Sequence, residues 1–160
     1  MYSALTILPL LVVIGLLAVV CVKRIPEGQV YTLRRLGKPA GTLTPGMHVV
    51  VPLVERIAHK ISISGYTLAI EERVQVEGHP QPETLRGRVW WQVLDPERAD
   101  AVIDRADDMI RTRVLGALPE MAAGKNDDVR ARNLRLKQAL NGSLRDRGVL
   151  VTRVELDLAA

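Results

Sequence analysis

The sequence predicts an α+β fold behind an N-terminal membrane anchor, and three observations carry the prediction. From Ala4 to Val22 the chain reads ALTILPLLVVIGLLAVVCV, without a charge. From Gly28 to Leu94 it consists of short β-forming runs cut by Gly and Pro. From Asp95 onward apolar residues recur with a helical period until a last strand-like run, Val149 to Leu158.

The apolar run comes first. As a helix rising about 1.5 Å per residue it reaches roughly 28 Å, close to the ~30 Å hydrocarbon core of a bilayer. Lys23 and Arg24 follow at once as a basic stop. A cleaved signal peptide needs a positively charged start and a small-residue cleavage site, and MYSALT carries no Lys or Arg. Ala18-Val19-Val20-Cys21 lacks the small residues that a lipoprotein cleavage box places just before its Cys. A retained anchor over residues 1–23 is expected, with a soluble domain over 24–160. Pro9 does not make the run a hairpin, because two passes do not fit into one bilayer-length segment. Lys23, Arg24, Arg34, Arg35 and Lys38 lie just after the run and only the α-amine precedes it, so the positive-inside rule places the domain in the cytoplasm.

Beyond the anchor no Gly/Ser-rich or Pro-rich linker divides the chain, and one core is expected. The formal net charge is +4 with acids interspersed among the Arg, which does not call for a nucleic-acid partner. The single Cys, Cys21, excludes an internal disulfide. With no Phe, the core rests on Val, Leu, Ile, Ala and Met.

GQVYTLRRL, residues 28–36, predicts a strand, and Gly37-Lys38-Pro39-Ala40-Gly41 a turn that interrupts it. Thr44-Pro45-Gly46 is a further turn. Val49 to Val51 and the recurring Ile57, Ile61 and Ile63 predict two more strands broken at Pro52. YTLAIEERVQVE (66–77) and ETLRGRVWWQVL (83–94) predict an antiparallel hairpin around Gly78-His79-Pro80-Gln81-Pro82.

Asp95-Pro96 predicts a helix start, Asp95 as N-cap and Pro96 in the first turn, leading into ERADAVIDRA. A second helix is expected from about Asp107 to Ala123, with Ile110, Val114, Leu115, Leu118 and Met121 on one face and Pro119 kinking its end. Asn126 or Asp127 should cap a third helix that runs to about Arg147, with Val129, Leu136, Leu140 and Leu144 on one side, and Gly148 should stop it. VLVTRVELDL then predicts a closing strand whose inward face changes near Arg153.

The order of these motifs resembles a known family. RIPEGQVYTLRRLGKPAGTLTPGMHVVVPLVERIAHKIS is similar to the opening of the stomatin/prohibitin/flotillin domain, called SPFH or Band 7. There a membrane anchor precedes a strand ending in Arg-Leu-Gly and a Pro-Gly-x-His turn. GRVWWQVLDPERA resembles that family's aromatic strand leading to Asp-Pro and a helix, RTRVLGALPEM its next helix, and RGVLVTRVELDL its closing strand. The resemblance covers residues 24–158. It implies an SPFH-like domain of antiparallel strands, helices and a closing strand, working as a membrane-attached, non-catalytic scaffold. Such a scaffold self-associates and organises microdomains or regulates membrane proteases and channels. The family usually continues into a long helical region that supplies much of ring assembly, and this sequence stops at Ala160.

No residue pattern points to catalysis. His48, His59 and His79 are not at metal-ligand spacing, no HExxH or paired Cys occurs, and Ser62 and Ser64 lack a nucleophile-elbow glycine pattern. Gly37 and Gly41 bracket Lys38-Pro39 without the GKS or GKT of a phosphate loop. No catalytic residue, metal site or cofactor is expected.

The candidate binding residues are few. Lys23 and Arg24 would contact lipid headgroups, each charge contributing about 1 kcal/mol against an anionic leaflet. Trp90 and Trp91 are neighbours on a strand and point to opposite faces, one to the core and one outward, either as a partner or oligomer contact or covered by a helix of the same domain. Cys21 is a candidate palmitoylation site, against the simpler reading of a small apolar residue. Arg130, Arg132, Arg135, Lys137, Arg145 and Arg147 spread around the third helix without interleaved aromatics and read as a solvated face. Membrane lipids, further copies of the chain and a membrane protease or channel are the expected partners, with a monomeric tethered adaptor as the alternative. A secreted or lipid-anchored enzyme accessory with a removed leader is the third reading.

Overall fold

A computed structural model describes residues 2–75, 81–123 and 128–159, with side chains for all of these except 2–6, 14, 122–123 and 159. His79 and the expected caps Asn126 and Asp127 lie outside the described residues. The chain divides into two compact units, 1–61 and 62–160.

The first unit begins with helix α1, Tyr2–Cys21, whose 20 residues carry no acidic or basic side chain at either end and run through Pro9. The helix stops one residue short of the expected run, because Val22 already starts strand β1, Val22–Ile25. Among the described residues no helix is long and apolar enough to cross a membrane. The fold therefore establishes α1 as a helix and does not establish it as a membrane span.

Strand β1 pairs antiparallel with β4, Gly46–Val49, placing Val22 opposite Val49 and Arg24 opposite Met47. A second sheet has the order β3-β2-β5, built from β2 (Gln29–Arg35), β3 (Lys38–Leu43) and β5 (Glu55–Ser62). Residues 38–41, expected in a turn, belong to β3. The turn itself is only Leu36-Gly37, with φ of 49° and 82°, the two positive values that a tight hairpin of right-handed twist needs. Pro39 is tolerated because the β2–β3 register shifts between Leu33 and Arg34, and such an irregularity on an exposed strand leaves no ladder bond for proline to break. Ile25, Val30, Leu33, Val50 and Ile61 are buried. Buried Thr32 satisfies its hydroxyl by accepting from the His59 N–H at 3.0 Å.

The second unit is an antiparallel sheet of order β6-β7-β8, from β6 (Tyr66–Val74), β7 (Glu83–Val93) and β8 (Val149–Ala159). Alternation puts Leu68, Ile70, Leu85, Val89 and Trp91 on its buried face. The face change expected near Arg153 is a bulge: Trp90 opposes Arg153 but Trp91 opposes Val151, so Thr152 is the extra residue. Val149 and Val151 before it, and Val154, Leu156 and Leu158 after it, then all point inward.

Asp95 caps α2 as expected, accepting from the Glu97 and Arg98 N–H groups, but α2 is only Pro96–Ala99 and a 3-10 turn follows at Ile103–Arg105. The expected long second helix is two helices, α3 (Ala106–Gly116) and α4 (Leu118–Ala123). Pro119 does not kink the end of one helix. It sits in the first turn of the next, where its missing N–H costs nothing. Helix α5, Val129–Leu144, is capped by Asp128, and Gly148 ends the following 3-10 turn at φ 76°. Its buried stripe is Arg132, Leu136, Leu140 and Leu144, while Val129, expected inside, is exposed. Burial of Arg132 corrects the expected solvated face. Its guanidinium lies 3.4 Å from the Asp157 carboxylate.

Candidate functional site

The end of α1 passes directly into β1, and the junction is tied down: the Val50 N–H donates to the Cys21 carbonyl at 2.8 Å. Cys21 is a free, half-buried thiol at the last helical residue. Lys23 and Arg24 are both exposed, since a two-stranded ribbon covers little of either side chain. Arg24 shares one face of that ribbon with Val22, Met47 and Val49, all exposed. His48, on the other face, meets the Thr44 carbonyl at 2.8 Å and is a turn residue in this setting.

Chain 50–55 then folds back on itself, the Val54 and Glu55 N–H groups both donating to the Val51 carbonyl. It meets the β2–β3 turn through the Leu36 N–H, which donates to the Val54 carbonyl at 3.1 Å. Arg35 donates to Glu55 at 2.5 Å beside it, and the Glu55 carboxylate also accepts from the Val51 N–H at 3.4 Å. The Arg35 hydrogen bond, the Val51 N–H and the Arg35 charge together hold the Glu55 carboxyl below the usual carboxylate range against a small opposing effect of burial.

This braced segment exposes what a core would hide. Leu53 is 89% exposed, Leu36 81%, Met47 74% and Val49 71%. Leu36 is, among the described residues, the non-glycine at positive φ. A leucine there costs about 1–2 kcal/mol against glycine or asparagine, a strain that packing does not explain because the side chain is in solvent.

The second candidate lies on the outer face of the β6-β7-β8 sheet. Trp91 faces the core, stacked on Tyr66 at 4.3 Å with its indole N–H donating to Asp107 at 2.9 Å. Trp90 faces outward and is half-buried, with the Arg153 guanidinium 5.3 Å from its ring centroid. Toward the far end of the same face Arg88 lies between Ala69 and Glu155, and Arg86 between Glu71 and Asp157. The face is therefore a charge-alternating ladder with one large aromatic at its end.

Among the described residues no group of three or more His, Cys, Asp or Glu is placed to hold a metal ion. The two candidate surfaces lie in separate units of the chain. The exposure of Leu36 and Leu53 is not legible in the sequence, because periodicity assigns apolar residues to a core; for Leu36 the one signal is a leucine in a Leu-Gly turn, where asparagine is usual.

The family model for the SPFH domain / Band 7 family matches residues 23–157. The chain belongs to the SPFH domain / Band 7 family. Its match spans both compact units and both candidate surfaces and begins at Lys23, directly after α1. One curated relative is an uncharacterized protein of the fission yeast Schizosaccharomyces pombe, 28% identical over 86 residues, or 54% of this chain and 24% of the relative. The chain thus spans about a quarter of that relative's length. An SPFH domain is consistent in general with a scaffolding or regulatory role at membranes.

Proposed function

We propose that this SPFH protein is a non-catalytic scaffold, held at a membrane by α1, that self-associates and organises or regulates other membrane proteins such as proteases or channels. The observation that carries the reading is the family match starting at Lys23, immediately behind a 20-residue helix without charged ends. The fold does not establish α1 as a span, and the reading rests on the uncharged run Ala4–Val22, which at about 1.5 Å per residue would reach roughly 28 Å, close to the ~30 Å of a bilayer core. In this reading α1 crosses once, Lys23 and Arg24 sit among the headgroups and the domain lies on the cytoplasmic side. Cys21, at the end of the helix, is within reach of an S-acyl chain. Trp90 is the contact between copies or with the regulated protein, since an outward, half-buried aromatic with the Arg153 guanidinium over its ring suits an interface.

Two measurements on the full chain test this. Flotation with vesicles under alkaline carbonate separates an integral protein from a peripheral one. Light scattering in mild detergent, with the detergent mass subtracted, gives the particle mass. The expected results are flotation and a mass of many protomers. A floating monomer would sink the scaffold and leave a tethered adaptor that docks a single partner; failure to float would sink the anchor.

A further inference from the structure

We infer that a small cavity between α4 and α5 is a carboxylate-binding site, in which the buried Arg132 guanidinium receives a carboxylate carried on a short apolar group. The inference is independent of the anchoring and assembly proposed above. The cavity measures about 80 Å³ and is walled on its apolar side by Ala117, Met121 and Leu136. Arg132 lines it from the first position of the buried α5 stripe, four residues before Leu136, where the spacing of Leu136, Leu140 and Leu144 calls for an apolar side chain. Its side chain is only 6% exposed. A guanidinium buried to this degree needs acceptors for its N–H groups, and this one is answered only in part. Nη2 donates to Asp157 Oδ1 across 3.4 Å, and that oxygen already accepts from the Leu158 N–H at 2.9 Å. Nε is buried and has no acceptor among the described residues. A planar guanidinium fork takes a carboxylate through two parallel hydrogen bonds, and an incoming carboxylate would give Nε the acceptor it lacks.

Charge and volume select the ligand. Arg135 and Glu120 border the same cavity and are exposed. Two arginines against one glutamate leave a single positive charge, which matches a monoanion, whereas a phosphate dianion would be repelled by Glu120 without full compensation. A water needs only about 10–15 Å³ of such space, so the cavity takes several non-hydrogen atoms, the size of a carboxylate on a short apolar stem, and excludes a nucleotide. An apolar residue of similar length at position 132 would fill the stripe without desolvating a charge, so Arg132 lowers stability unless an anion joins it.

The full chain in mild detergent is unfolded by heat and followed by Trp fluorescence, which reads the unit holding the cavity because Trp91 is in its core. Sodium propionate is titrated against sodium chloride of equal ionic strength, with propionamide as the uncharged isostere. The expected result is a saturable rise in midpoint, about 3–8 °C at ten times the propionate dissociation constant, and none with propionamide. Arg132→Met should abolish the rise while melting no lower than the parent chain. Arg132→Lys, which keeps the charge and loses the fork, should lose most of it. The absence of a saturable rise would mean that water answers Nε and overturns the site. An equal rise with propionamide overturns carboxylate recognition, and a rise that persists in both Arg132 variants places the anion elsewhere. N-acetylglycylalanine separates the sources: a dissociation constant at least tenfold below that of propionate assigns the site to a peptide C-terminus, an equal or higher one to a free short-chain acid, and either sustains the proposal.

Discussion

Asn141 pairs with Val151 as a neighbouring strand would: its side-chain amide donates to the Val151 carbonyl at 3.0 Å and accepts from the Val151 N–H at 2.7 Å. Two turns earlier on α5, Asn133 accepts from the Leu156 N–H. The edge of β8 is thus closed by side chains of a helix, which removes a template for unwanted strand pairing.

Asn141→Ala should cost about 1–3 kcal/mol, because it leaves two part-buried backbone groups without partners. Urea unfolding of the full chain in detergent, followed by Trp fluorescence, should show a lower midpoint, and Asn141→Asp should lie between the two. An unchanged midpoint would mean that water satisfies the edge equally well.

Gly87 has φ 152°, and a Cβ there would stand 1.9 Å from the Glu155 carbonyl oxygen. Gly87→Ala should therefore separate β7 from β8 and destabilise by about 2–4 kcal/mol, combining backbone strain with overpacking. The same unfolding experiment reads it; Gly142→Ala, on a helix with nothing within 4 Å, is the control and should be neutral or stabilising.

The two tryptophans should separate by what they change. Trp91→Ala removes a buried ring together with its bond to Asp107 and should cost about 3–5 kcal/mol. Trp90→Ala should cost about 1 kcal/mol in stability, since it loses partial burial and the Arg153 contact. Its main effect should be a smaller particle mass by light scattering. Unchanged mass with Trp90→Ala would remove this face from the assembly.

The brace between Arg35 and Glu55 should be pH-dependent. Folding lowers the Glu55 pKa, so its contribution is complete above the carboxylate's unfolded pKa and is lost as pH falls through the folded value. The protection factor of the Leu36 amide, corrected for the intrinsic pH dependence of exchange, should fall across that acid range and stay flat in Glu55→Gln. A drop of equal size in Glu55→Gln would assign the change to another group.

Much of the fold was readable because some signals are local. The alternation around Leu68 and Ile70, the Asp95-Pro96 start and the Gly148 stop each depend on the backbone within a few residues. The shift in spacing between Val151 and Val154 likewise announced the bulge at Thr152. Strand β3 is not legible in the sequence because Pro39 and Gly41 are turn residues by propensity, and pairing with β2 holds them extended. The break at Ala117 is hidden because helical period continues across it, so one helix with a kink at Pro119 is expected, while Pro119 fits better in a new first turn than in an old last one.

The α+β order of elements, the uncharged N-terminal helix with Lys23 and Arg24 behind it, and the family are all legible in the residues alone. These follow from composition, period and short motifs, which act over one turn or one strand. That Trp91 is the inward tryptophan and Trp90 the outward one, that Arg132 is buried, and that Leu36 and Leu53 stand in the open follows from the packing. Those outcomes depend on which groups meet from distant parts of the chain. A leucine carries the same hydrophobicity in the sequence whether a neighbouring element covers it or not.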